Sequence, residues 1–201
     1  MLPLLPAACT GVYSDPTDIV DESHVVTGNK RIFATSTTYQ GGLLGGLGGA
    51  DDKCAARAAT AGLTGTYRAW LSDSHRSAAS RLTHATGSYA LIDGTVVATS
   101  WTDLVATNLQ HAIDRDELGR DCAPRAACGD VPGNRAWTQT TVTGTTFPGL
   151  GRGCGDWTEL QHDGYGRIAL VGDIHATDSF WTEGLDWSDC AAPAALYCLE
   201  Q

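Results

Sequence analysis

The fold is decided by residues 45–72, which read GGLGGADDKCAARAATAGLTGTYRAWLS. After the glycines, the sequence predicts an alanine-rich helix over residues 50–61. Asp51 and Asp52 fall in its first turn, where carboxylates complement the helix dipole, and Gly62 follows as a C-terminal stop. The glycine run itself predicts a loop, because no Gly-Lys-Ser/Thr follows to make it a phosphate loop.

The predicted helix buries one stripe against a sheet. The stripe consists of residues that recur at helical spacing: Ala50, Cys54, Ala58 and Ala61. Cys54 therefore faces the core, and the small alanines beside it let the helix pack closely. Strands are predicted at segments separated by turn residues: 31–37, 67–71, 89–92, 95–98, 137–146, 157–160, 167–171 and 195–200. The predicted fold class is α+β, with one helix in the N-terminal part of the chain, many short strands and long loops in the C-terminal part.

Length and charge restrict the class of protein. The chain has 201 residues, 42% of them hydrophobic and 18% charged, which is typical of one soluble globular domain. Asp and Glu number 23 against 13 Lys and Arg, and the formal net charge is −10. This surface lacks the clustered cations that bind phosphate backbones, so nucleic acid is not expected as a partner. No apolar run approaches the roughly 20 residues of a membrane-spanning helix.

Seven cysteines, an even set of six and one outlier, indicate disulfides in an exported protein. The six are Cys54, Cys122, Cys128, Cys154, Cys190 and Cys198. None belongs to a Cys-x-x-Cys pair, so zinc-ribbon and thioredoxin-like interpretations lack their spacing. The residues alone leave the pairing of these six open.

The outlier, Cys9, follows an apolar start that resembles the end of a bacterial lipoprotein signal, in which such a cysteine is lipidated. Residues 1–9 are interpreted as the remnant of an export or lipoprotein signal, and a flexible tail with a free thiol is the alternative. Residues 10–29 are predicted to be a flexible tether, and residues 30–201 the folded domain. Two acyl chains on Cys9 would hold the protein on an outer-membrane surface.

Two segments carry a family resemblance. Residues 45–72 and the closing Trp187-Ser188-Asp189-Cys190 and Leu196-Tyr197-Cys198-Leu199-Glu200 resemble the endostatin-like branch of the C-type-lectin-like fold. The resemblance covers residues 31–201 and extends to bacterial endostatin-like surface lipoproteins such as those of leptospires. It implies a single C-type-lectin-like domain. It also implies three disulfides: Cys54 with Cys198, Cys154 with Cys190, and the remaining Cys122 with Cys128.

Several properties of the family do not carry over. The arginine face with which animal endostatin binds heparin has no counterpart in a chain of net charge −10. The zinc-binding N-terminal histidines are missing, since His24 stands alone. The Glu-Pro-Asn or Gln-Pro-Asp motif of calcium-dependent lectins is also missing, and Trp187-Ser188-Asp189 matches their Trp-Asn-Asp motif only in part.

Candidate ligand contacts lie in the late loop at residues 173–189, where this fold usually presents them. The predicted ligand-binding residues are Trp181, Asp178, Glu183 and Asp186, and Phe180 and Trp187 are close by in sequence. Their carboxylates are suitable ligands for Ca²⁺ as a cofactor. They are equally compatible with an acidic loop that binds no metal and is solvated by water. The aromatic rings suit a sugar or a protein partner. Three other tryptophans are predicted to belong to the core: Trp70, Trp137 and Trp157.

The sequence predicts a non-enzymatic protein that is secreted or held at the cell surface. No Gly-x-Ser-x-Gly elbow is present, and disulfides would occupy the best nucleophiles. The predicted function is binding or adhesion to proteins or glycans through loops 105–135 and 173–189. Two alternatives stay open: a structural subunit of a surface assembly or filament, and a calcium-dependent carbohydrate-binding lectin.

Overall fold

The computed structural model describes residues 25–26, 28–122, 134–150, 153–160, 168–184 and 187–201. These residues form the α+β fold class that the sequence predicts, with one long helix and a mixed sheet. The helices are α1 (Gly46–Thr60), α2 (Ala78–Arg81), α3 (Trp101–Leu104) and α4 (Cys154–Trp157). The strands are β1 (Val25–Val26), β2 (Lys30–Ala34), β3 (Tyr39–Gln40), β4 (Tyr67–Ala69), β5 (His84–Ala85), β6 (Tyr89–Ala90), β7 (Val96–Ala98), β8 (Arg135–Trp137), β9 (Ile168–Asp173), β10 (Trp187–Asp189) and β11 (Pro193–Glu200). Short 3₁₀ turns lie at Gly41–Leu43, Pro148–Leu150 and Ser179–Trp181.

The last strand, β11, is the centre of the sheet. The strand order is β10-β9-β8-β11-β2-β6-β7, and β3 and β4 also pair with β11. β11 runs parallel to β8 and antiparallel to β2. Nearly every residue of β11 is apolar and buried, which is typical of a strand that is covered on both faces.

The two faces of the sheet carry two hydrophobic cores. Alternate residues of β11 belong to different cores, with Leu196 and Cys198 on the side of α1 and Tyr197 and Leu199 on the other side. Four fully buried tryptophans fill these cores: Trp137 and Trp157 on the α1 side, and Trp70 and Trp181 on the opposite side. The predicted core positions of Trp70, Trp137 and Trp157 are therefore confirmed.

Helix α1 begins at Gly46, earlier than the predicted start at residue 50. The predicted start was wrong because the glycines belong partly to the helix. Gly45 and Gly46 adopt φ values of 83° and 74°, which turn the chain into the helix at a conformation that L-residues avoid. A Cβ atom on Gly49 would lie 2.1 Å from the carbonyl oxygen of Leu44, so the first turn also requires glycine for close packing.

The predicted core stripe of α1 is confirmed at three positions, since Ala50, Cys54 and Ala58 are buried. Neither Asp51 nor Asp52 lies in the first turn as predicted, because α1 begins at Gly46. Asp51 instead makes contacts outside the helix. Its Oδ1 accepts a 2.9 Å hydrogen bond from the backbone N–H of Ala69, and its Oδ2 forms an ion pair with Arg81. Asp51 therefore connects α1 to β4 and α2 instead of stabilising the helix dipole.

Two disulfides lie within the described residues, and both match the pairing implied by the family resemblance: Cys54–Cys198 and Cys154–Cys190. Their Cα–Cα distances are 5.5 and 5.4 Å, which are usual for disulfides. The first bridge ties α1 to the central strand, and the second nests inside it. Cys122 is disulfide-bonded as well. Its predicted partner, Cys128, lies outside the described residues, so that pairing stays a prediction.

Some predicted strands are wrong in type or length. Residues 157–160, predicted as a strand, begin with the last residue of α4. The four residues of α4 have φ values between 50° and 71° and so form a left-handed turn. The strand predicted at 137–146 overlaps a strand only at Trp137, because β8 spans Arg135–Trp137. The edge strand β10 lies where the sequence predicted only a loop.

The N-terminal part of the chain is described only from Val25 onward. Cys9 and the predicted signal remnant 1–9 lie outside the described residues. Within the predicted tether 10–29, Val25–Val26 forms β1, which pairs in parallel with β5. Among the described helices, none combines the length and the apolar character that a membrane crossing requires.

Candidate functional site

The candidate site is a groove of about 350 Å³ with an aromatic lining. Its described lining residues are Phe147, Ser179, Phe180, Glu183, Gly184 and Trp187, and we call this feature the aromatic groove. Phe180 and Trp187 each expose 40% of their surface, which is unusual for rings of this size. Grooves lined by aromatic rings with a few polar groups are typical ligand sites.

The rings of the groove come from three separate segments. Phe147 precedes the 3₁₀ turn Pro148–Leu150, Phe180 lies in the 3₁₀ turn Ser179–Trp181, and Trp187 begins the edge strand β10. The centroids of Phe147 and Trp187 lie 5.5 Å apart, and their ring planes meet at 73°. The two rings therefore form a corner in the wall of the groove.

A side-chain cap shapes the turn that carries Phe180. Asp178 Oδ1 accepts a 3.1 Å hydrogen bond from the backbone N–H of Phe180, and the N–H of Glu183 donates to the carbonyl of Ser179 at 2.9 Å. Such capping is a common use of aspartate at the start of a turn. Asp178, predicted as a ligand contact, thus caps this turn and is not among the described residues that line the groove.

Trp181, which was predicted to bind a ligand, does not lie at the surface. Its side chain is fully buried, with its ring centroid 5.0 Å from that of Trp70 and 5.7 Å from that of Tyr197. Because the 3₁₀ turn sends neighbouring side chains in different directions, Phe180 is exposed while Trp181 enters the core. Phe180, and not Trp181, is therefore the ring of this pair that is exposed.

Thr182, which lies between Trp181 and Glu183, belongs to a buried network of threonine side chains. Thr182 Oγ1 accepts from Trp70 Nε1 at 2.6 Å and donates to the carbonyl of Thr140 at 3.1 Å. Thr138 Oγ1 donates to the carbonyl of Thr182 at 2.6 Å. All three threonines are buried, so these bonds are protected from water. Residues 181–184, which we call the floor of the groove, are therefore fixed to the core at Thr182.

Two glycines let this floor lie directly on β9. A Cβ atom on Gly172 would come within 1.9 Å of the carbonyl oxygen of Trp181, and one on Gly184 within 2.2 Å of the carbonyl oxygen of Val171. Neither position has room for a side chain, because the obstacle is backbone. Residues 181–184 are thus packed against the sheet rather than projecting as a free loop.

Glu183 is the charged residue of the groove. One carboxylate oxygen, Oε2, accepts a 3.0 Å hydrogen bond from the backbone N–H of Val142. The described residues give its other oxygen no hydrogen-bond partner, and the side chain is half-buried. The predicted role of Glu183 as a ligand contact fits this position, while Asp186 lies outside the described residues.

The other carboxylates of this region are used in local turns. Asp173 Oδ1 accepts from the backbone N–H of His175 at 2.9 Å, and Asp189 Oδ1 accepts from that of Ala191 at 2.8 Å. Across the described parts of the chain, no three His, Cys, Asp or Glu side chains gather in a way that could hold a metal ion. The carboxylates proposed for Ca²⁺ therefore do not converge within these parts.

The other predicted recognition loop, residues 105–135, is described up to Cys122 and again from Asn134, and its first part contains buried anchors. Glu117 is almost fully buried and accepts hydrogen bonds from Ser36 N at 2.9 Å and from Arg57 Nε at 2.8 Å. Burial would raise the pKa of Glu117, but the hydrogen bonds from Ser36 and Arg57 outweigh it and hold the pKa below its usual range. This half of the loop is thus a structural part of the domain.

Of the aromatic residues in the groove, the sequence analysis missed Phe147. It lies directly after the segment 137–146 that was predicted as a strand, and no spacing in the sequence brings it next to Trp187. The sequence shows that aromatic residues are frequent at residues 180–187. Which of them are exposed and share a groove with Phe147 depends on tertiary packing.

Comparison with models of known protein families and with curated protein sequences gives no match. The class of protein is therefore defined by its own features. The described residues form a disulfide-bridged α+β domain with an aromatic groove on a rigid floor.

Proposed function

We propose that this chain is a binding module of an exported protein, which acts by attachment and not by catalysis. It contacts protein or glycan ligands through the aromatic groove and the neighbouring part of loop 173–189. In this proposal the fold is a C-type-lectin-like domain of the endostatin-like type, and the site is its ligand surface.

The single observation that carries the proposal is the exposure of Phe180 and Trp187 beside the half-buried Glu183. Exposed aromatic rings cost solvation free energy, and they are enriched where proteins meet ligands or partners. The rigid floor beneath them supports the same interpretation, because a pre-organised surface loses little conformational entropy on binding.

The disulfides support an exported location. The two bridges within the described residues belong to an oxidising environment, such as the outside of a cell. Lipid anchoring through Cys9 is part of the proposal, and it would place the module on the outer surface of a membrane. Detection of a lipid-modified Cys9 peptide by mass spectrometry of protein from the native membrane tests this part separately.

The experiment that tests the function is an array of glycans and extracellular-matrix proteins, probed with the full chain. Three variants are probed in parallel: Trp187→Ala, Phe180→Ala and, as the matched control, Leu118→Ala. Leu118 is also apolar and exposed, at 51%, but it does not line the groove.

We expect at least one array component to bind the wild-type chain and the Leu118→Ala variant equally. Binding of that component by the two groove variants should weaken at least about tenfold, the loss expected when a key aromatic contact is removed. Array binding that is the same for all four proteins contradicts the proposal. Far-ultraviolet circular dichroism of each variant controls for folding.

A further inference from the structure

We infer that the aromatic groove binds an alkylated ammonium group, such as a trimethylammonium group carried by a larger ligand. The inference rests on the proposed function and names the chemistry that its site recognises. Three observations lead to it: the arrangement of the rings, the position of the carboxylate, and the charge of the chain.

The ring arrangement fits a compact cation better than a flat sugar ring. A sugar ring stacks on one aromatic face, whereas Phe147 and Trp187 meet at 73° with their centroids 5.5 Å apart. Phe180 adds a third ring to the same groove. Three aromatic rings therefore border one small volume, which we call the aromatic cage, and the negative face of an aromatic ring attracts a cation.

The polar groups of the groove point to the same ligand. Its described lining provides one hydroxyl, from Ser179, and one carboxylate, from Glu183, and no basic residue. A sugar presents many hydroxyl groups that need several hydrogen-bond partners, which this lining does not supply. An alkylated ammonium group needs none, because its positive charge is covered by methyl groups.

The position of Glu183 suits a counter-charge. Its Oε2 is held by the backbone N–H of Val142 at 3.0 Å, so the carboxylate is oriented without the help of a cationic side chain among the described residues. A partly desolvated carboxylate beside aromatic faces strengthens the attraction of a cation. The formal net charge of −10 adds a long-range field of the same sign, which favours cationic ligands and opposes anionic ones.

The experiment is a calorimetric titration of the full chain with choline and with 3,3-dimethylbutan-1-ol, its uncharged isostere in which carbon replaces nitrogen. The two probes have the same shape, so any difference in affinity reports the charge. We expect choline to bind at least about tenfold more tightly than the alcohol. Equal affinities for the two probes, or no binding of choline, would overturn the inference.

Two variants locate the site and separate its two parts. Trp187→Ala should weaken choline binding at least about tenfold, because it removes a wall of the cage. Glu183→Gln keeps an oxygen acceptor for the N–H of Val142 and removes the charge, so choline binding should weaken about three- to tenfold while binding of the alcohol stays the same. Leu118→Ala should bind both probes like the wild-type chain. Choline binding that neither groove variant reduces would also overturn the inference.

The source of the group is tested by comparing phosphocholine with an N-trimethyllysine peptide. Tighter binding of phosphocholine than of phosphoethanolamine, or of the N-trimethyllysine peptide than of the same peptide with unmodified lysine, supports the inference. Equal binding within both pairs contradicts it. Failure of the cation assignment is distinguishable from failure of the proposed function. If the array detects a ligand that depends on Trp187 but choline does not bind, the proposed function stands and the cation assignment is wrong.

Discussion

The indole Nε1 of Trp70 donates a 2.6 Å hydrogen bond to Oγ1 of Thr182, and both groups are buried. Trp70 directly follows β4, whereas Thr182 directly precedes the groove carboxylate Glu183. One hydrogen bond thus connects the end of β4 to the floor of the aromatic groove.

The first prediction concerns this bond. Thr182→Val keeps the shape of the side chain but leaves Trp70 Nε1 and the carbonyl of Thr140 without their partner, so unfolding should become easier by about 1–3 kcal/mol. Urea unfolding followed by tryptophan fluorescence measures the change. The control is Thr102→Val, at an exposed position of α3. A loss for Thr182→Val no larger than that of the control would show that the network does not stabilise the fold.

The second prediction concerns acid stability. Since the pKa of Glu117 is lower in the folded chain, its contribution is complete above the unfolded-state pKa of about 4.3 and is lost as pH falls through the folded value. Glu117→Gln should reduce stability at pH 7, because Arg57 loses its charged partner. Below about pH 4.3 the stability of the variant should fall less steeply than that of the wild type.

Unfolding in urea at a series of pH values measures this difference. Asp52→Asn, which removes a carboxylate at an exposed position of α1, is the matched control. Glu200 and Asp93 also have lowered pKa values, Glu200 through its hydrogen bonds from Arg31 against the effect of burial and Asp93 mainly through the N–H of Thr95. The Glu117→Gln variant therefore keeps part of the acid dependence. Curves of identical slope for this variant and the wild type are incompatible with the account.

The third prediction concerns alkaline stability. Burial raises the pKa values of Tyr67 and Tyr89 to about 12. A raised pKa means that the folded state keeps its proton longer, so the stability contribution is complete below the unfolded pKa of about 10 and is lost as pH rises toward 12. Burial also raises the pKa of Tyr39, and it raises that of Tyr197 well above its usual value. Ultraviolet difference absorbance of tyrosinate should therefore detect several tyrosines that ionise late, with Tyr67 and Tyr89 among them.

A pair of tyrosine variants separates burial from hydrogen bonding. The hydroxyl of Tyr89 accepts from the backbone N–H of Ala85 at 2.9 Å, whereas the buried hydroxyl of Tyr67 has no hydrogen-bond partner among the described residues. Tyr89→Phe should therefore cost about 1–2 kcal/mol, and Tyr67→Phe should be neutral or stabilising. The reverse order of these two effects would refute the assignment.

The fourth prediction concerns the nested disulfides. Closing the loop between Cys54 and Cys198, with a sequence separation of 144, restricts the unfolded chain by about 5 kcal/mol, against about 4 kcal/mol for Cys154–Cys190 with a separation of 36. The double variant Cys54→Ala/Cys198→Ala should thus be the less stable of the two alanine pairs. Thermal unfolding of both variants under non-reducing conditions compares them. Greater stability of the first variant would contradict the role of the outer bridge.

The sequence was most informative where one local pattern decides the outcome. The helical spacing of Ala50, Cys54 and Ala58 predicted their buried stripe, and the apolar run at 195–200 predicted the strand that became the centre of the sheet. The family resemblance added the two disulfide pairs, which spacing alone left open.

Tertiary contacts decided the features that the sequence analysis missed. The left-handed turn at Cys154–Trp157 depends on the disulfide of Cys154 and on the buried ring of Trp157, whose Nε1 donates to the carbonyl of Ser72 at 2.8 Å. Similarly, the choice between Phe180 and Trp181 for the surface depends on which ring fits beside Trp70. Neither contact follows from the order of residues along one segment.

The proposed function requires that the aromatic groove contacts the ligand. This requirement is tested most directly by the dissociation constant of the strongest array ligand, measured by calorimetry for the Trp187→Ala and Leu118→Ala variants of the full chain. We expect Trp187→Ala to weaken binding at least about tenfold and Leu118→Ala to bind like the wild type. Equal dissociation constants for the two variants would contradict it.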